Sequence, residues 1–175
     1  MSSAPEIRTS TPEDIEAVVS MYPLAFPEEN LVPLVRDLLT DPGVALSLVA
    51  TIESEIVGHV SFTSCAVDES NVAASLLAPL AVAPDYQRRG IGSALVHKGH
   101  EKLSDSNVDV VFVLGDPAYY SCLGFRQEPD VQPPYPLPAE WYVAWQSQYL
   151  GEVTTAGSGK LAVPSQWLDP ALWAP

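Results

Sequence analysis

Apolar positions recur along this chain with two periods, and each change of period marks a new element. Ala4 to Ser10 reads as a first strand. Thr11-Pro12-Glu13-Asp14 then offers a hydroxyl cap, a first-turn proline and acids facing the positive end of a helix dipole, which together predict a helix start. Ile15, Val18, Val19 and Tyr22 follow at helical spacing, and Leu31, Leu34, Val35, Leu38 and Leu39 make a second stripe; both are expected to face the core. Asp41-Pro42-Gly43 is a turn, after which Val44 to Ile52 and Ile56 to Val67 read as a hairpin joined at Glu53-Ser54-Glu55. A polar stretch from Asp68 to Ser75 leads into the apolar strand Leu76 to Ala83. Ile91 to about Ser104 is predicted to be the main helix, with Ile91, Leu95 and Leu103 on the face that packs on the sheet. Val108 to Leu114 is nearly all apolar, as expected of a central strand covered on both faces. Asp116 to Leu123 reads as a short helix closed by Gly124.

The last third changes character. Five prolines fall between Arg126 and Glu140, predicting a rigid loop. Trp141 to Leu150 then resumes a strand-like aromatic pattern, and Gly151 to Gly159 is a small polar turn. Lys160 to Val163 is expected to form a last strand paired with Trp141 to Leu150. The tail carries Trp167 and Trp173, which are expected to dock on the body. Residues 4–150 thus read as one domain and residues 151–175 as an extension packed on it, with no internal repeat.

Composition narrows the function. A chain of 175 residues, 47% hydrophobic, can bury a sizeable core, and no apolar run is long enough to span a membrane. MSSAPEIRTS lacks the basic and apolar regions of a secretory signal, so a cytoplasmic location is expected. The net charge of −14 argues against a nucleic-acid partner. It suits a cationic substrate such as an amine, although acidic surfaces also serve solubility alone. Cys65 and Cys122 are expected to be small buried thiols, and His59, His97 and His100 are too scattered for a zinc site, so no metal is expected.

One segment carries candidate chemistry. In LLAPLAVAPDYQRRGIG, Leu76 to Gly92, an apolar strand feeds a glycine-containing turn that opens a helix. Backbone N–H groups converge at such a junction, the helix dipole adds positive potential, and glycine lets a ligand approach, so the junction is suited to an anion. Arg88 and Arg89 are the only adjacent Lys/Arg pair in this acidic chain. An ordinary glycine turn before a helix is the plainer reading of the string by itself.

The turn resembles the Gln/Arg-x-x-Gly-x-Gly/Ala motif of the GCN5-related N-acetyltransferase superfamily. The preceding LAVAP, the later VDVVFVLG and then AYYSCLGF fall in the family's order, so the resemblance covers Leu76 to Phe125. VLGDPAYYSCLGF and the proline-rich late region resemble the YhbS-like members in particular. The resemblance implies a mixed α/β fold, a splayed central sheet of about six or seven strands flanked by about four helices. It also implies transfer of an acetyl group from acetyl-CoA to a primary amine, directly within a ternary complex.

Residue by residue, Gln87, Arg88, Arg89, Gly90, Ile91, Gly92 and Ser93 would hold the diphosphate of the coenzyme. Leu80, Ala81 and Val82 would align its pantetheine arm through their backbone, with the N–H of Leu80 or Ala81 donating to the thioester oxygen. Pro79 fits a point where strand pairing is lost. Tyr120 would protonate the departing thiolate, and Tyr119 has no assigned role. The chain departs from a common family pattern in having no glutamate within Leu76 to Ala83; His59, Asp116 and Glu140 are the candidate bases, and a core histidine is the plainer reading of His59. A non-catalytic acyl-CoA-binding module is the alternative function, and a pure interaction protein with a tryptophan-rich surface is a third. The late aromatic strand is compatible with a homodimer.

Overall fold

The computed structural model describes residues 4–174. It comprises two compact units, each assembled from two stretches of chain: the described residues of Met1–Thr63 with Ala78–Gly99, and Ser64–Leu77 with the described residues of His100–Pro175.

The first unit opens with β1 (Glu6–Thr9), antiparallel to β2 (Ala45–Ile52). Strand β2 is in turn antiparallel to β3 (Glu55–Val67), with Ala45 opposite Thr63 and Ile52 opposite Glu55. The tight connection forces Glu53 and Ser54 to φ of 51° and 68°, the left-handed pair that a two-residue hairpin turn needs. Between β1 and β2 the chain forms α1 (Ile15–Ala25) and α2 (Val32–Leu39). The approach to α1 is fixed by Asp14: the backbone N–H of Thr11 donates to Asp14 Oδ2 at 2.7 Å, and Arg8 grips the same carboxylate at 2.7 and 3.0 Å. The Arg8 hydrogen bond, against the cost of burial, holds the Asp14 carboxyl at about 2. Val18, Val19, Met21 and Tyr22 of α1 meet Val35 of α2, Val49 of β2 and Ala81 in one buried cluster.

Strand β4 (Ala74–Val82) and helix α3 (Ile91–Asp105) each pass through both units. In the first unit α3 buries Ile91, Leu95 and Val96. It seats closely on β3 because two glycines remove obstructing side chains. A Cβ at Gly58 would press on Leu95 and Ile91 at 3.0 and 3.1 Å, and one at Gly99 would collide with the Phe62 ring.

In the second unit β4 runs parallel to β5 (Val110–Leu114) over Ala74–Leu76. Strand β5 is antiparallel to β7 (Trp145–Tyr149), and β7 to the two-residue β6 (Arg126–Gln127). The described residues thus form eight strands of mixed direction, in the order β1-β2-β3-β4-β5-β7-β6 with the two-residue β8 (Leu161–Ala162) on β3. The short helix α4 (Pro117–Tyr120) continues as a 3-10 turn to Leu123 and ends at Gly124, whose φ of 98° makes it the expected left-handed cap.

Three expectations need correction. The strand expected at Trp141 to Leu150 begins only at Trp145, because Ala139–Ala144 coils into a 3-10 turn after the prolines. The last strand pairs with β3, Leu161 opposite Val67, and not with β7, whose two neighbours are already β5 and β6. Cys122 is exposed and Cys65 half-buried, where two buried thiols were expected. In the turn after α4 it is Leu123 that points inward, which leaves Cys122 on the outer side. Trp173 and Trp167 of the tail are buried, Trp173 lies edge-on to Trp145 at 6.0 Å, and Trp145 stacks on Phe112 at 5.4 Å. No described helix is long and apolar enough to cross a membrane.

Candidate functional site

The first unit contains every backbone group that the motif assigns to the coenzyme. The parallel ladder between β4 and β5 stops at Leu76, opposite Phe112, although β4 continues to Val82. Pairing with β5 is therefore lost before Pro79, as its missing N–H leads one to expect; the Ala78–Pro79 bond is cis. Beyond that point Ala81 is buried, and Leu80 and Val82 are half-buried.

From Val82 the chain makes a single 3-10 turn, Pro84–Tyr86, and then the motif itself. The Gln87 side chain reaches back and donates from Nε2 to Val82 O at 3.0 Å, tying the turn to the end of its strand. Arg88 and Gly90 both take left-handed φ, 63° and 81°. Helix α3 then starts, with Ala94 N–H bonded to Gly90 O at 3.0 Å. The first N–H groups of a helix have no intrahelical acceptor, so they remain available at this end. A Cβ built on Gly90 would meet nothing within 4 Å, so the space over the turn is open. Glycine is required here by its φ rather than by crowding.

The charge at this junction is uncommitted. The ion pairs Arg8–Asp14 and Arg36–Glu16 involve neither Arg88 nor Arg89, and no carboxylate within ion-pair distance of either arginine is found among the described residues. Both arginines are exposed. Arg89 lies over the Tyr86 ring, 5.2 Å from its centroid, an arrangement that restrains the guanidinium while leaving its N–H edges free. An exposed arginine pair, an open left-handed turn and a helix N-terminus together fit a diphosphate group.

Tyr120 belongs to the second unit, at the end of α4. Its ring packs edge-on against Phe125 at 5.6 Å and Tyr119 at 4.9 Å, and it covers Gly115, where a Cβ would collide with the Tyr120 ring. Gly115 is therefore a positioning residue that sequence reading missed; its only signal was its place between the apolar run of β5 and Asp116. The Tyr120 hydroxyl makes no hydrogen bond among the described residues, and burial, then the neighbouring Tyr119, pushes its pKa up. A phenol in that setting stays protonated at ordinary pH and is able to donate. Tyr119 is exposed, so adjacent tyrosines of one short helix meet different environments.

The candidate bases fare differently. His59 is 0% exposed. Tyr22 Oη lies 2.6 Å from its Nδ1 and Ser47 Oγ 2.8 Å from its Nε2. Burial lowers its pKa to about 3, so it is a neutral, hydrogen-bonded core histidine. Asp116 caps α4 by accepting from Ala118 N–H at 2.9 Å. Glu140 is exposed on the 3-10 turn before β7.

Comparison with known proteins decides the family. The family model described as an acetyltransferase (GNAT) domain matches residues 44–127. The N-acetyltransferase YjhQ of Escherichia coli K12, itself uncharacterised, is 37% identical over 142 residues, covering 76% of this chain and 78% of YjhQ. The chain belongs to the GNAT acetyltransferase family. A second E. coli relative, the uncharacterised N-acetyltransferase YhbS, is 34% identical over 121 residues, 69% of this chain and 72% of its own. A crystal structure of YhbS from E. coli in complex with CoA superposes with a TM-score of 0.85 at 27% identity, covering 95% of this chain and 94% of that one. A GNAT acetyltransferase from Brucella melitensis, in complex with acetyl-CoA, repeats the fold at a TM-score of 0.75 and 24% identity, over 94% and 98% of the two chains.

Proposed function

We propose that this GNAT protein is an N-acetyltransferase that moves the acetyl group of acetyl-CoA to an amine by direct attack in a ternary complex. The observation that carries this reading is the open turn from Gln87 to Ile91, with left-handed Arg88 and Gly90, unpaired arginines and the start of α3. It is what a coenzyme diphosphate needs, and the YhbS relative was crystallised with CoA.

On this reading Arg88 and Arg89 supply the positive potential that an acidic chain otherwise lacks, and the N–H groups of Gly90, Ile91, Gly92 and Ser93 direct hydrogen bonds to phosphate oxygens. The backbone of Leu80 to Val82, free of β5, accepts and donates along the pantetheine arm in the manner of an added strand. The N–H of Leu80 or Ala81 faces the charge that develops on the thioester oxygen. Tyr120 gives its proton or a hydrogen bond to the leaving sulfur. The amine loses its proton to water or arrives neutral: His59 is sealed in the core and Asp116 is occupied as a cap, which leaves exposed Glu140 as the one side-chain candidate of the three.

The missing base also favours a second reading, a non-catalytic acyl-CoA-binding module. Thiol release from acetyl-CoA, followed across a panel of alkyl, amino-acid and peptide amines, separates the two. Amine-dependent release supports the transferase; tight acetyl-CoA binding with no release for any amine supports the module.

A further inference from the structure

The proposed chemistry leaves one buried titratable group without a task. His59, on β3, lies between two hydroxyls: Tyr22 Oη of α1 is 2.6 Å from its Nδ1 and Ser47 Oγ of β2 is 2.8 Å from its Nε2. Burial keeps the imidazole neutral, so one ring nitrogen donates while the other accepts. A single hydrogen-bonded chain thus runs from α1 through β3 to β2. Tyr22 is buried with it. An apolar pair of the same shape would hold α1 on the sheet about as well, because a buried hydrogen bond is worth little net stability. What the polar chain adds is direction, a single rotation and height for α1.

That direction matters because of what lies beside it. Three consecutive residues of β3 buttress the junction between β4 and α3. Val57 O accepts from Ala83 N–H at 2.9 Å. A Cβ at Gly58 would stand 3.4 Å from Ala81 O, and 3.0 and 3.1 Å from Leu95 and Ile91, so β3 meets both the end of β4 and the first turns of α3 here. His59 comes next and holds Tyr22. Tyr22 in turn shares a buried cluster with Ala81, and Ala83 packs against that cluster. Helix α1 therefore covers the last residues of β4, and Tyr22 is where it is pinned. All of these residues lie in the first unit.

We propose that Tyr22 and His59 are positioning residues for the coenzyme: their hydrogen bond locks α1 against Leu80 to Val82, so that this backbone is in place before acetyl-CoA arrives. The proposal rests on the reading of Leu80 to Val82 as the pantetheine strand.

The test titrates acetyl-CoA calorimetrically into the full-length protein and its variants, each held well below its own Tm. Tyr22→Phe keeps the ring, which stacks on Phe26 at 6.0 Å, and removes the hydroxyl; it should weaken acetyl-CoA about fivefold. His59→Gln carries its amide near the Nε2 position and leaves Tyr22 unmet, so it should weaken acetyl-CoA by a similar factor. His59→Asn carries its amide near the Nδ1 position and should stay within about twofold of the wild type. Trp173→Ala, in the second unit, controls for stability: its Tm should fall while its affinity holds. Should the His59 variants fail to fold, Tyr22→Phe set beside Trp173→Ala still decides the matter. Wild-type affinity in Tyr22→Phe, equal losses in His59→Asn and His59→Gln, or an equal loss in Trp173→Ala would overturn the proposal while leaving the coenzyme reading intact. A wild-type protein that does not bind acetyl-CoA would instead overturn that reading, and this proposal with it.

Discussion

At the residue scale, adjacent side chains of the same type differ in what their surroundings let them do. Tyr120 is held by Phe125, Tyr119 and the bare Cα of Gly115, and its hydroxyl is unspent. Tyr120→Phe should therefore lower turnover by about 10²-fold with little change in acetyl-CoA affinity, whereas Tyr119→Phe should leave both unchanged. Steady-state rates set beside calorimetric affinities check this; wild-type turnover in Tyr120→Phe would remove its acid role. His59 makes a different kind of prediction. Its folded pKa, about 3, lies below the ordinary 6.5, so the unfolded state binds the proton more readily. Its contribution is complete above pH 6.5 and is lost as the pH falls toward 3. Urea midpoints should drop between pH 6.5 and about 5, above the range where ordinary carboxylates titrate, and His59→Gln should flatten that slope. Equal slopes in the two proteins would mean that His59 is not buried neutral.

At the scale of elements, the junction between β4 and α3 does most to define the site. Gly90 has room around it but a φ of 81°, so Gly90→Ala probes backbone conformation alone and Gly90→Val adds bulk to the strain. Both should weaken acetyl-CoA, the valine more, by about 10-fold or beyond; titrations that match the wild type would contradict the assignment of this turn. This junction was legible in the sequence because everything that builds it is local: a proline that ends pairing, a glycine with positive φ and a helix start. The first helix, the hairpin and the Gly124 cap were legible for the same reason. What was not legible depends on partners distant in sequence. Leu161 pairs with Val67, ninety-odd residues earlier, and no periodicity within Lys160 to Val163 encodes that choice. The two residues of β6 are strand only because β7 lies beside them. Gly115 is required by a ring five residues on, and His59 is silenced by Tyr22 and Ser47 from other elements.

At the scale of the whole molecule, the proposed function asks a chain with a net charge of −14 to bind a highly anionic coenzyme, and the chain presents one adjacent arginine pair, in neither of the two carboxylate ion pairs, where the helix begins. The acidity elsewhere suits the amine acceptor of the proposed function. In the tail, Trp173 is 2% exposed and lies edge-on to Trp145 at 6.0 Å. Trp173→Ala should cost about 3 kcal/mol, seen as a fall of several degrees in Tm; an unchanged Tm would mean that the tail is not docked. The central claim is nevertheless about one bend in the main chain. A crystal structure of this protein grown with CoA tests it most directly: the account predicts phosphate oxygens within hydrogen-bonding distance of the N–H groups of Gly90 to Ser93, with Arg88 or Arg89 alongside. Density for the coenzyme at any other place, with that bend vacant, would contradict it.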